Sequence, residues 1–90
     1  MLEIVLANAF RKDLKRAKKR GLNLDHLTRV LNILAAEEKL PAKYRDHALT
    51  GDYGGFRECH IEPDWLLVYR VDSSVLSLFL FRTGTHSALF

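Results

Sequence analysis

The sequence predicts an α+β domain of two layers, with an N-terminal helical hairpin packed on one face of a mostly antiparallel sheet. Three observations lead there. Apolar residues recur at helical spacing in the first half of the chain. Short β-rich runs fill the second half, and turn sequences of the kind that join hairpins separate them.

Taken in order, Leu2–Leu6 is short and β-rich and reads as a first strand. Asn8 is the expected N-cap of a first helix, in which Phe10, Leu14 and Ala17 form the apolar stripe and Gly21 ends the run. That stripe leaves Arg11, Lys12, Lys15, Lys18 and Lys19 toward solvent. Asn23 caps a second helix, with Leu24, Leu27, Leu31 and Leu34 at steps of three and four, Val30 beside them and Pro41 beyond its end. The "RGLN" connection makes the two helices an antiparallel hairpin, and His26 on the second helix reads as a surface residue. After Pro41, "DHALTG" is a short extended segment, and "GFRECHIE", "DWLLVYRVD" and "SVLSLFLFR" are strands. "DYGG" and "EPD" are turns and "DSS" a hairpin connection, so the order is β-α-α followed by three or four strands. One face of the sheet then has no second layer, which makes it a place for a ligand.

The 90 residues make one domain, residues 1–90, with an ordinary soluble balance of 48% hydrophobic and 28% charged residues. No apolar run reaches the length of a membrane span, and the N-terminus lacks the basic-then-apolar order of a signal peptide, so a cytoplasmic location and no membrane are expected. A lone Cys59 leaves no internal disulfide and suits a reducing compartment. The net charge of +3 is unevenly spread. Residues 1–45 carry 11 Lys and Arg against 5 Asp and Glu, and residues 46–90 carry 3 against 6. The densest stretch, "RKDLKRAKKR", suits a phosphate backbone or an acidic partner, or serves only as a solvated helix face.

Of four histidines, His47, His60 and His86 fall in the C-terminal half near strand ends, and Asp64 and Trp65 lie across a turn from His60. A metal centre is not expected. Cys59 and His60 are adjacent on a strand and point to opposite faces, and the other spacings match no compact ligand motif. Nucleophilic catalysis lacks its parts too, since Cys59 has no activating partner and neither a G-x-S-x-G turn nor a phosphate loop is present. General acid–base chemistry fits better, because histidine titrates near neutrality and RNA brings its own nucleophile, the ribose 2′-OH. Arg82, with Arg57 as a second candidate, supplies positive charge for the phosphate, and Trp65 and Phe90 are candidates for stacking on bases. The competing assignments are Trp65 as a core residue and Phe90 as a plug on the sheet.

"YRDHALTGDYGGFRECHIEPDWLLVY" followed by "RTGTHSALF" resembles the YafQ-type toxins of bacterial type II toxin–antitoxin systems, within the RelE/ParE superfamily. The resemblance runs from the first strand to Phe90. It implies a RelE-like fold and a small cytoplasmic endoribonuclease, an mRNA interferase that cuts messenger RNA in the ribosomal A site. It further implies that no cofactor is needed and that the products are a cyclic phosphate and a 5′-hydroxyl. The expected partners are a cognate antitoxin, which forms a hetero-oligomer with an otherwise monomeric toxin, and ribosomal RNA. Carried over motif by motif, His86 and Asp64 form the proton-transfer pair, His47 and His60 hold or polarise the phosphate, and Arg82 neutralises its charge. Trp65 and Phe90 contact RNA, and Lys15, Lys18 and Lys19 on the basic helix grip the ribosome. Two other classes stand beside this one. A ParE-like protein that binds DNA gyrase has no need of clustered histidines, and a catalytically silent antitoxin- or nucleic-acid-binding module has no need of intact site positions.

Overall fold

The structure, a computed structural model, describes all 90 residues. Strand β1 (Glu3–Leu6) leads into helices α1 (Asn8–Lys19) and α2 (Leu24–Ala35). A 3₁₀ turn at Ala42–Tyr44 then precedes β2 (His47–Ala48), and a second at Gly51–Tyr53 precedes β3 (Arg57–Glu62). Strands β4 (Trp65–Asp72) and β5 (Ser77–Gly84) and a one-turn helix α3 (His86–Leu89) complete the chain. The sheet order is β1-β5-β4-β3-β2, antiparallel throughout except that β1 runs parallel to β5.

The helical hairpin forms where the apolar spacing requires it. Phe10 and Ala17 of α1 and Leu27, Val30, Leu34 and Ala35 of α2 are buried against Cys59, Leu67, Tyr69, Leu78 and Leu80 of the sheet. Asn23 caps α2 as expected, its side chain accepting a hydrogen bond from the Asp25 amide at 3.0 Å. The cap of α1 differs from expectation. Ala7 occupies that position without a side-chain bond, and Asn8 is the first helical residue.

Strand β5 starts at Ser77, three residues later than its apolar run suggests. The Asp72 carboxylate accepts from both the amide and the hydroxyl of Ser74, which curls the chain and leaves Val75 and Leu76 exposed in the loop.

The sheet face turned away from the helices also departs from expectation, because it is not bare. Leu66 and Val68 are buried there with Leu89 of α3, and Leu49, Phe56 and Phe81 pack around them. Gly84, at φ +156°, lets the chain leave β5 and fold α3 back, and a Cβ there would meet the Leu89 side chain at 3.4 Å. A helix of four residues is too short to show a periodicity, so nothing in the apolar spacing announces it.

Candidate active site

Strand register brings the candidate residues onto this second face. His47 lies opposite Glu58, Glu58 opposite Val68, and Val68 opposite Arg82. Two residues along, His60 lies opposite Leu66 and Leu66 opposite Gly84. Side chains two apart share a face, so His47, Glu58 and His60 stand on the side where Leu66 and Val68 pack under α3. With strands about 4.8 Å apart, the backbones of His60 and Gly84 are roughly 10 Å from each other. Asp64 is exposed in the β3–β4 turn, and His86 opens α3 two residues after Gly84. The Thr85 hydroxyl accepts from the Ala88 amide at 3.2 Å, which fixes where that helix starts. Phe90 is 45% exposed and sits edge-on to Tyr53, ring centres 5.0 Å apart, and 5.3 Å from the His86 ring. His47, His60, His86 and Phe90 thus border one partly covered face, and Asp64 lies in the exposed turn that follows β3.

Hydrogen bonding sets the imidazole roles. The Nδ1 of His60 faces the Pro63 carbonyl at 3.2 Å and that of His47 faces the Arg45 carbonyl at 2.7 Å. A carbonyl only accepts, so both Nδ1 atoms carry hydrogen and each ring presents Nε2. The two rings differ at that atom. His47 Nε2 lies 3.4 Å from the buried Glu58 carboxylate, so that atom already has a neighbour within the protein. His60 bonds within the protein through Nδ1 alone, which leaves its Nε2 available to a ligand.

Three residues expected to meet a ligand have partners within the fold. Trp65 is 2% exposed within the helix-side core, where its indole N–H donates to Thr83 Oγ1 at 2.8 Å and the Thr83 hydroxyl donates to the Leu66 carbonyl at 2.6 Å. Such a ring cannot stack on a base, so Trp65 braces the strand ends instead. Arg82 is tied to Asp13 of α1, with Nε donating at 2.6 Å and a terminal nitrogen at 3.1 Å. Asp13 also accepts from the Thr83 amide and from Arg16, each at 3.1 Å. The cause is topological. β1 stops pairing at Leu80, which leaves the Thr83 amide without a strand partner, and the buried carboxylate takes that place. Asp13 holds Arg82 firmly protonated, its pKa raised above the usual guanidinium value. Arg57 is likewise held, by both oxygens of Asp46 at 3.3 Å, and Tyr69 donates to the same carboxylate. Both arginines are therefore paired with carboxylates inside the fold and remain partly exposed.

On the basic helix, Lys15, Lys18 and Lys19 are exposed. Cys59 is fully buried, and desolvation, with Asp46 and Glu58 nearby, pushes its thiol up to about 12, the mark of an unreactive group. No three His, Cys, Asp or Glu side chains converge as a metal site requires. Sequence reasoning missed Glu58, Asp13, Asp46 and Tyr53. Only Glu58 carried a usable signal, its two-residue offset from His60 on one strand.

Comparison with known proteins adds to this geometry. Residues 2–90 match the family described as the bacterial toxin of type II toxin–antitoxin system, YafQ. The chain is 39% identical over 89 residues to the mRNA interferase toxin YafQ of Escherichia coli strain K12, covering 98% of this chain and 95% of that protein. A metal-bound toxin from Helicobacter pylori is 48% identical and superposes with a TM-score of 0.95 over 100% of both chains. The toxin fold is also shared with the E. coli DinJ–YafQ complex, at 38% identity and a TM-score of 0.91 over 100% of this chain and 99% of that one. This chain belongs to the YafQ family of toxins of bacterial type II toxin–antitoxin systems.

Proposed function

We propose that the protein is an mRNA interferase, a cytoplasmic bacterial toxin that cuts messenger RNA in the ribosomal A site and is held in check by a cognate antitoxin. The family supports the nuclease class over gyrase binding. The single observation that carries the chemistry is that α3 brings His86 and Phe90 over the face bearing His47 and His60.

The ribose 2′-OH attacks the adjacent phosphorus as a base takes its proton. The P–O5′ bond breaks as an acid gives a proton to the leaving oxygen, so a 2′,3′-cyclic phosphate and a 5′-hydroxyl result. His86 and Asp64 make these two transfers. His47, oriented by the Arg45 carbonyl and Glu58, holds the phosphate, and the free Nε2 of His60 reaches the same group. Phe90 offers an exposed ring for a base, and Lys15, Lys18 and Lys19 hold ribosomal RNA.

The test is cleavage of a message, with and without ribosomes, by purified protein treated with a chelator that is removed before the assay, since ribosomes themselves need Mg²⁺. Cleavage that needs ribosomes and survives chelation is expected. Loss of all cleavage by the chelator-treated protein, restored by adding back a transition metal, would overturn the acid–base scheme.

A further inference from the structure

We propose that the cavity at the free edge of β3 is a second phosphate subsite, which seats a backbone phosphate of the RNA strand flanking the bond that is cut. The inference rests on the RNA-cleavage reading and adds residues that reading does not use.

Strand β2 pairs only with residues 57–58 of β3, so residues 59–62 have no strand neighbour on that side. Helix α2 and the Ala42–Tyr44 turn flank this edge and leave a cavity of ≈ 440 Å³. That lies within the ~300–1,000 Å³ typical of ligand sites. Arg29 comes from α2, Lys43 and Arg45 from the turn, and His26, His60 and Glu62 complete the polar lining.

The charge balance is one-sided. The five ion pairs of the molecule use Arg16, His26, His47, Arg57 and Arg82, so Arg29, Lys43 and Arg45 have no carboxylate partner. The only acid in the lining, Glu62, is 3.1 Å from His26 Nδ1. A second cavity, ≈ 310 Å³ beside α1 and β5, also holds arginines, but there the buried Asp13 engages Arg16 and Arg82. The first cavity therefore keeps its positive charge for a ligand.

The lining selects phosphate over base. Its one tyrosine, Tyr44, is buried and has the Lys43 ammonium 5.1 Å above it, so that ring offers no open face for stacking, and the His26 and His60 rings are engaged at Nδ1 by Glu62 and the Pro63 carbonyl. Arg and Lys supply donors alone, the complement of phosphate oxygens. The cavity is also joined to the reaction site. His60 lines both, and Arg45, held at φ +51°, turns its carbonyl to His47 while its side chain borders the cavity. A strand with one phosphate at His47 and His60 has its neighbour within reach of Arg29 and Lys43.

The test uses the full chain and a labelled, uncleavable 2′-O-methyl RNA oligonucleotide, with affinity followed against salt. Arg29→Gln combined with Lys43→Gln is expected to weaken binding at least tenfold. It should also flatten the log–log salt slope by about 0.7 for each phosphate no longer neutralised. Arg29→Lys with Lys43→Arg restores both quantities. On ribosomes the glutamine pair raises KM and leaves kcat in place, as expected for a group that binds RNA away from the reacting atoms. Should the double variant melt early, the single variants carry the same test, each with half the change in slope. Unchanged affinity and slope beside a wild type that still cleaves would overturn the subsite alone. A wild type that neither binds the oligonucleotide nor cleaves on ribosomes takes down both readings. Weakened binding to an acidic antitoxin with RNA binding intact would give the cavity to that partner and overturn the proposal.

Discussion

The cluster between helices and sheet buries sixteen residues, whereas the opposite side of the same sheet buries three, Leu66, Val68 and Leu89. The large cluster takes in whole faces of α1 and α2 and even encloses the indole of Trp65. The small one sits under a single turn of helix and is bordered by His47, His60, His86 and Phe90. The difference separates two tasks. Apolar burial on one side fixes the strands, which frees the other side to hold polar side chains that are half exposed and open to a ligand. Substitutions on the two sides should therefore fail in different ways, one in catalysis and the other in stability.

The largest effect is expected from His86→Ala. The residue is exposed at the start of α3, so melting should hardly change while message cleavage falls about 10²–10⁴-fold, the usual share of a general acid or base. Cleavage at the wild-type rate by a folded variant would remove His86 from the reaction. Next comes Asp13→Ala on the opposite side, which strips Arg82, Arg16 and the Thr83 amide of their acceptor at once. We expect a drop of about 3 kcal/mol in denaturant unfolding, since breaking a buried pair strands its partners.

Phe90→Ala tests the boundary between the two sides. Its ring meets Tyr53 and His86, not the main core, so RNA affinity should fall by about 1–2 kcal/mol, the scale of one base–aromatic stack, with little change in melting. A drop in melting with RNA affinity intact would make Phe90 a plug.

The smallest effect concerns Cys59. Its thiol ionises near 9 when unfolded but at about 12 in the fold, so between those values the unfolded chain binds fewer protons. Stability should be fully present below pH 9 and decline above it, by at most about 1.4 kcal/mol per pH unit from this group. Cys59→Ala should flatten that alkaline decline in unfolding curves measured against pH.

The helix-side architecture is largely legible in the residues, because Phe10, Ala17, Leu27 and Leu34 obey one period and Leu78 and Leu80 another. Periodicity says nothing of partners distant in the chain. Asp13 lies in a basic run and looks like one more surface charge, yet its role is set by donors on Arg82 and Thr83, some seventy positions away. Trp65 is ambiguous in the sequence for the same reason, since only the tertiary position of Thr83 decides whether an indole N–H can be buried. The histidines stand out as a group from their positions near strand ends. Which ring nitrogen each presents depends on the carbonyls of Arg45 and Pro63, and those follow from turns that no spacing rule describes.

The parallel pairing of β1 with β5 has a consequence for how the molecule comes into being. The first strand to leave a ribosome has no neighbour in the sheet except β5, and the helix that follows it is fastened by Asp13 to residues 82 and 83. Such long-range pairing is slow to form, because the intervening chain must close before the contacts reward it. Every nascent chain is therefore an open clasp until β5 emerges, and α3, which carries His86 and Phe90, follows that strand directly. For a toxin with the activity proposed above, completing the fold and completing the site would then depend on the same strand, β5.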